Sequence, residues 1–183
     1  YMSEKSKKNV YIMKQIFDIN NEFKLNIYNG DTLETDFEKI FNIKEFDIII
    51  GNPPYNKDNT GTGNSYWQFF VTKSINQLKK DGYLVFVHPS TWRKPQSEKS
   101  KMKGYFELMT RINSLLYLEI HNAKDGVKTF NCSTRYDYYV LQKKKNNKTK
   151  TIIKDEKSNI IKINLNKFDW LPNYYFDKFK KLF

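Results

Sequence analysis

The 183-residue chain has a single cysteine, Cys132, so neither an internal disulfide framework nor a cysteine-built zinc site can form. It has two histidines, His88 and His121, and with Cys132 they match no metal-ligand spacing; packing roles are expected for all three, and no metal. Seven glycines and five prolines are too few for a linker or a collagen-like chain. No apolar run approaches the roughly 18 to 20 residues that a membrane helix needs. Tyr1-Met2-Ser3-Glu4-Lys5 carries no apolar signal region, so a cytoplasmic setting without membrane attachment is expected. A hydrolase elbow of the Gly-x-Ser-x-Gly type is also lacking.

Aromatic and basic residues are plentiful. Hydrophobic residues make up 39% of the chain and aromatic ones 16%, enough for a buried core. Lys and Arg number 32 against 20 Asp and Glu, a net charge of +12. From Lys143 to Phe183 there are 12 lysines and 4 acids, which places +8 of that charge in the last stretch. Such an excess points to a polyanionic partner, because each cation set against a phosphate releases a condensed counterion. A lysine-rich solvated surface, which an AT-rich coding sequence also produces, is the competing explanation.

Strand and helix patterns alternate over the first two thirds, the mark of an α/β domain with a largely parallel sheet. Helical spacing runs over Ser6 to Phe17, Ser65 to Lys80 and Met102 to Ile112, with Ser65 a candidate N-cap and Asp81-Gly82 a stop. Strands are expected at Leu25 to Tyr28, Phe46 to Ile50, Tyr83 to Val87, Leu115 to Ile120 and Tyr136 to Leu141, with the Phe46 strand buried and Gly126 in a turn. Lys143 to Lys150 has the composition of a basic hinge. Beyond it Thr151 to Ile153 and Ile160 to Leu165 have the pattern of a β-hairpin, and a short amphipathic helix is expected to follow within Asp169 to Phe183.

The sharpest signal is Phe46-Asp47-Ile48-Ile49-Ile50-Gly51-Asn52-Pro53-Pro54-Tyr55. An apolar strand runs into a turn stiffened by two prolines, which fix their own φ and hold their predecessors extended. Prolines donate no hydrogen bond, so the corner offers mainly acceptors. The Asn52 amide oxygen and the Pro53 carbonyl can converge on one amino group, with the Tyr55 ring laid against a flat partner. The carboxyl ends of strands are where open α/β sheets bind ligands. Gly61-Thr62-Gly63-Asn64-Ser65, a faint nucleotide-loop pattern, has one glycine too few and the wrong position; it reads as a loop near the pocket. Asp155-Glu156-Lys157 is too common in lysine-rich chains to mark a nuclease.

The Asn52 to Tyr55 tetrapeptide resembles motif IV of S-adenosylmethionine-dependent N6-adenine DNA methyltransferases of restriction–modification systems, and the resemblance extends from about Glu4 to Lys143. Trp67 to Lys80, Asp81 to Val87 and His88-Pro89-Ser90-Thr91-Trp92-Arg93 are similar to the helix, strand and turn that follow that motif. The resemblance implies a Rossmann-like methyltransferase sheet and S-adenosylmethionine as methyl donor. It implies Asp31 of Asn29-Gly30-Asp31 against the donor's adenine, Glu4 against its ribose hydroxyls, and Phe130 as the aromatic that grips the target base opposite Tyr55. Double-stranded DNA is the implied substrate, with its adenine flipped out of the helix. Asn52 and Pro53 accepting both N6 protons would localise the nitrogen lone pair for attack on the methyl group.

No candidate for the family's glycine-rich first motif is found. The resemblance therefore implies an incomplete sheet without its central first strand, completed by an N-terminal segment or a partner chain, since two buried unpaired edges are costly. The expected division is a partial catalytic domain over 1–145 and a basic hairpin and helix extension over 146–183 leading toward a target-recognition region. Two other readings stay open. One is methylation of an RNA base or of protein glutamine, which also present planar amino nitrogens. The other is a non-catalytic nucleic-acid-binding or assembly module of the same fold.

Overall fold

Two sheets form in a computed structural model that describes residues 1–20, 22, 25–57 and 65–182, and every strand but the first, at Met2–Glu4, falls where the sequence pattern places one. The chain separates into two compact units, Tyr1–Phe46 and Asp47–Phe183.

In the first unit β1 (Met2–Glu4) pairs in parallel with β2 (Ile27–Asn29), Met2 opposite Ile27 and Glu4 opposite Asn29. The parallel pairing needs a crossover, supplied by α1 (Lys7–Phe17). Ser6 caps that helix by accepting the Asn9 N–H. Asp36 caps α2 (Phe37–Phe41) in the same way, accepting from Lys39 N. Phe37 is buried, with its ring edge-on to Phe46 at 5.6 Å. None of α1 is buried, and Tyr11, Ile12, Ile16 and Phe17 are exposed along it.

The second unit is built on a six-stranded sheet in the order β3 (Phe46–Gly51), β4 (Leu78–Pro89), β6 (Tyr136–Gln142), β5 (Ser114–His121), β7 (Thr151–Lys154), β8 (Ile160–Ile163). β6 runs antiparallel to both β4 and β5. α3 (Trp67–Gln77) connects β3 to β4 and buries Trp67, Val71 and Ile75. α4 (Tyr105–Glu107) continues into a π-helical turn, Leu108–Ile112, before β5, and α5 (Ala123–Phe130) joins β5 to β6. Leu84, Leu115, Leu118, Leu141 and Ile153 form the fully buried middle of the sheet.

A buried pair locks this unit together. The Arg93 guanidinium donates to both carboxylate oxygens of Asp137 at 2.8 and 3.1 Å, and Trp92 Nε1 donates to the same group at 3.0 Å. Arg93 also donates to the carbonyls of Leu171 and Pro172 and to Asn173 Oδ1. Arg111, in the π-helical turn, does the same for the carbonyls of Asn166 and Phe168. The two arginines thereby fasten the segment around α6 (Phe176–Phe179) to the sheet.

Several expectations change. The Phe46 strand is not buried: Ile48 is 57% and Ile50 76% exposed, because β3 is the last strand of its sheet and nothing packs on those side chains among the described residues. α3 stops at Gln77, and β4 begins at the next residue, Leu78, which is fully buried. Asp81-Gly82 consequently lies inside β4, with Asp81 at φ 64°. The N-cap position of α3 is Tyr66; Ser65 instead trades hydrogen bonds with Gln68 at 2.8 Å in each direction. Gly126 sits in α5 rather than in a turn. The Lys143 to Lys150 stretch is no hinge, since buried Asn146 bonds to the carbonyls of Thr110 and Arg111. The hairpin is present, and it joins the main sheet: β7 pairs in parallel with β5, Tyr117 opposite Ile152.

Candidate active site

β3 delivers Asn52-Pro53-Pro54-Tyr55 at its carboxyl end. Gly51 is required there, because a Cβ would stand 2.9 Å from Phe86 Cε1. Pro53 is buried and anchors the turn, while Asn52 and Pro54 are exposed. The Asn52 side chain therefore faces away from the hydrophobic interior, as a hydrogen-bond acceptor for an incoming group must. Past the turn, the Tyr55 carbonyl accepts from Tyr66 N at 2.9 Å, and Asn56 forms an antiparallel bridge with Ser65. These contacts tie the turn to the start of α3. Gly61 to Asn64 lie outside the described residues.

Phe130, much further along the chain, comes to the same place. α5 is nucleated by a capping box, Asn122 accepting from Lys124 N and Asp125 N while Asp125 accepts from Asn122 N. Asn131 ends the helix at φ 53°. Phe130 is its last residue, and its ring lies edge-on to Tyr55 with centroids 6.3 Å apart and planes at 81°. A flat base between two parallel rings needs about 7 Å, twice the roughly 3.5 Å contact distance. The two rings are thus brought together, and they meet edge to face with no gap of that width between them.

Tyr55 bears the mark of that closed arrangement. Its hydroxyl is buried and has no hydrogen-bond partner among the described residues. Burial, followed by the neighbouring Tyr138, Tyr136 and Cys132, pushes its pKa up to about 12.

Behind Phe130 stands a support that sequence reasoning did not single out. Tyr136 is buried, with its ring edge-on to Phe130 at 4.9 Å and its hydroxyl 3.1 Å from Thr129 Oγ1. His121 stacks on the other side of Tyr136 at 4.5 Å and 7°. The aromatic alternation of Tyr136 and Tyr138 on β6 was the available signal. Gly126 lets α5 approach this corner: a Cβ there would overlap the Thr134 carbonyl oxygen and stand 2.7 Å from that of Cys132.

Of the remaining chemistry-bearing residues His88 packs as expected, whereas Cys132 stands on the surface and has no packing role. His88 is fully buried and stacks on Trp67 at 3.8 Å. Its Nδ1 lies 3.0 Å from the Pro89 carbonyl, which only accepts, so the proton is assigned to Nδ1 and Nε2 accepts from the Tyr139 hydroxyl at 3.1 Å. Burial pushes its pKa down to about 3. His121 lies beside Glu119 and Asp125, and Cys132 is exposed.

In the first unit, Glu4 and Asp31 occupy the carboxyl ends of β1 and β2. Glu4 Oε1 accepts from Ser6 N at 2.7 Å, and Asp31 accepts from Leu33 N at 2.9 Å and Lys5 Nζ at 3.2 Å. Gly30 N and Asn29 Nδ2 both donate to the Glu4 carbonyl, which fixes the two strand ends to each other. Two carboxylates at the ends of parallel strands suit a ligand bearing hydroxyl and amino donors.

Known proteins share this construction. An adenine-specific methylase of Mycoplasma pneumoniae, described as uncharacterized, is 39% identical over 70 residues, 35% of this chain and 16% of that protein. Modification methylase CviBIII of Paramecium bursaria Chlorella virus NC1A is 36% identical over 74 residues, 35% of this chain and 19% of that protein. The chain thus spans less than a fifth of the length of these relatives. Among solved structures, the M protein of type I restriction enzyme EcoKI superposes with a TM-score of 0.60 at 18% identity, over 84% of this chain and 34% of that one. A modification subunit of a type I restriction enzyme, described as putative, from Vibrio vulnificus YJ016 gives 0.64 at 12%, over 98% and 39%. These structures establish that the chain shares the fold of such modification subunits; among the described residues β3 is the last strand of its sheet. The profile of one sequence family covers residues 1–124, from the strand ending in Glu4 through the Asn52 turn to the start of α5, and by that match the chain belongs to the Eco57I restriction-modification methylase family.

Proposed function

We propose that this chain carries the catalytic segment of an enzyme that methylates the N6 amino group of adenine in double-stranded DNA. The observation that carries the reading is the Asn52-Pro53-Pro54-Tyr55 corner, with its amide exposed and with Phe130 brought against Tyr55. Membership of a restriction-modification methylase family supports it.

In this reading Asn52 Oδ1 and the Pro53 carbonyl accept the two N6 hydrogens. The adenine amino lone pair, otherwise delocalised into the ring, is thereby localised on nitrogen. Tyr55 and Phe130 hold the extruded base, which offsets part of the unstacking cost, roughly 1–3 kcal/mol per stacked base. The product nitrogen loses its extra proton to solvent, so no strong protein base is needed. The methyl donor is S-adenosylmethionine, which supplies a methyl group on a sulfonium. Glu4 accepts from its ribose hydroxyls and Asp31 from its adenine amine, a role that suits carboxylates at strand ends.

Residues 1–145 make up the catalytic part, and 146–183 lead toward a target-recognition region. β3 has an open edge among the described residues, and the reading assigns it a further strand from an N-terminal segment or a partner chain. Among the described residues no helix is long and apolar enough to cross a membrane.

The test is methyl transfer to an adenine-containing duplex by the full-length protein, with the same sequence as RNA for comparison. Asn52→Ala is expected to lower the rate on DNA on the order of a hundredfold, the usual cost of losing one preorganised polar contact to the reacting group. Equal rates for the two proteins overturn the assignment.

A further inference from the structure

The turn that leaves β4 carries a second feature. Thr91, Lys94, Gln96, Ser100 and Lys101, together with Ser65, line an open depression of about 380 Å³. Ser65 belongs to the bridge with Asn56, next to Tyr55, so the depression adjoins the catalytic corner. Among the described residues no carboxylate lines it. Glu98, the acid in this loop, is engaged by Lys103. Lys94 and Lys101 are exposed and have no acidic partner among the described residues.

The loop is organised rather than loose. Gln96 Nε2 donates to the carbonyls of Thr91 at 2.8 Å and Lys94 at 2.9 Å, while its Oε1 accepts from Ser100 Oγ at 2.6 Å. That one side chain holds three points of the segment around a common centre. Met102, buried in the core, and Arg93, paired with Asp137, pin the two ends. The Ser65 and Ser100 hydroxyl protons are spent on Gln68 and Gln96. The donors left for a ligand are the two ammonium groups and the Thr91 hydroxyl, a set suited to a tetrahedral oxyanion.

We infer that this depression binds a backbone phosphate of the DNA strand that presents the target base, with Lys94 and Lys101 as its cations and Gln96 as the residue that positions them. The inference rests on the proposed reading of the catalytic corner. A phosphate held here fixes the strand beside the pocket while carrying no sequence information.

The test is the salt dependence of duplex binding by the full-length protein, measured by anisotropy without turnover. Neutralising both lysines, Lys94→Gln with Lys101→Gln, is expected to flatten the slope of log affinity against log salt by about 0.9 for the phosphate lost. Lys7→Gln with Lys8→Gln, an equal charge change on the exposed face of α1, is expected to leave the slope near the wild-type value. An unchanged slope for the first pair, or an equal loss for both, overturns the inference. Inorganic phosphate is expected to displace the duplex from the wild type beyond chloride at equal ionic strength and to lose that excess in the double variant; an excess kept by the double variant overturns the inference. Loss of methylation in Asn52→Ala does not enter this measurement, so failure of the catalytic reading and failure of the phosphate site are separable.

Discussion

Tyr55 and Phe130 stand edge to face, centroids 6.3 Å apart, and the Tyr55 hydroxyl is buried beside them without a partner among the described residues. An unsatisfied buried hydroxyl costs about 1–3 kcal/mol. Tyr55→Phe is therefore expected to raise stability by on the order of 1 kcal/mol in urea unfolding while keeping a ring for the base. Tyr55→Ala is expected to weaken capture of a duplex with 2-aminopurine at the target position, read by its fluorescence. Destabilisation by Tyr55→Phe would show that the phenol has a partner in solution.

Gly126 controls Phe130 from four residues away. In Gly126→Ala the new methyl meets backbone oxygens of Thr134 and Cys132, which cannot swing aside as a flexible side chain would. Overpacking of this kind costs about 1–3 kcal/mol. The expected outcome is a lower melting temperature together with weaker 2-aminopurine fluorescence at saturating DNA. A variant with wild-type stability and fluorescence contradicts the close approach.

Arg93 and Asp137 are 2% and 0% exposed at their side chains, and Trp92 shares the carboxylate. Burial raises the Asp137 pKa, and the pull of Arg93 and Trp92 opposes it. Asp137→Asn leaves the guanidinium buried without its counter-charge, so a loss of about 3–5 kcal/mol is expected from denaturant titration. Because Arg93 also holds the carbonyls of Leu171 and Pro172, proteolysis near those residues is expected to accelerate in the same variant.

His88 makes stability depend on acid. Its pKa in the folded chain is pushed down to about 3, below its ordinary 6.5, because burial disfavours the charged ring. The unfolded chain binds a proton below about pH 6.5 that the folded chain refuses, so stability rises with pH across that window and is lost as pH falls toward 3. Urea midpoints between pH 7 and pH 5 are expected to fall in the wild type and to fall less steeply in His88→Gln. Parallel slopes would mean that other groups set the acid response.

The sequence announced the candidate site at Asn52 to Tyr55 because its chemistry is local: four consecutive residues after an apolar strand need no tertiary information. The partnership of Tyr55 with Phe130 was reachable only through resemblance, since no periodicity links a turn after β3 to the end of α5. Gly126 misled for a physical reason. Glycine marks turns by its backbone freedom, but here its missing Cβ admits a neighbouring backbone inside a helix. The immediate passage from α3 into β4 was equally hidden, because Asp81-Gly82 is a good helix stop on local grounds and the buried Leu78 overrides it. The Lys143 to Lys150 stretch resembles a hinge by composition, and one buried amide, Asn146, makes it part of the fold.

The bare flank of β3 has a practical outcome for anyone handling the chain. Ile48 and Ile50 present branched hydrocarbon to water beside peptide groups that are unmated among the described residues, the template on which strands of separate molecules add to one another. Purified without whatever covers that flank, the polypeptide is expected to sediment as a concentration-dependent mixture. A detergent or a strand-mimicking peptide should return it to a single species.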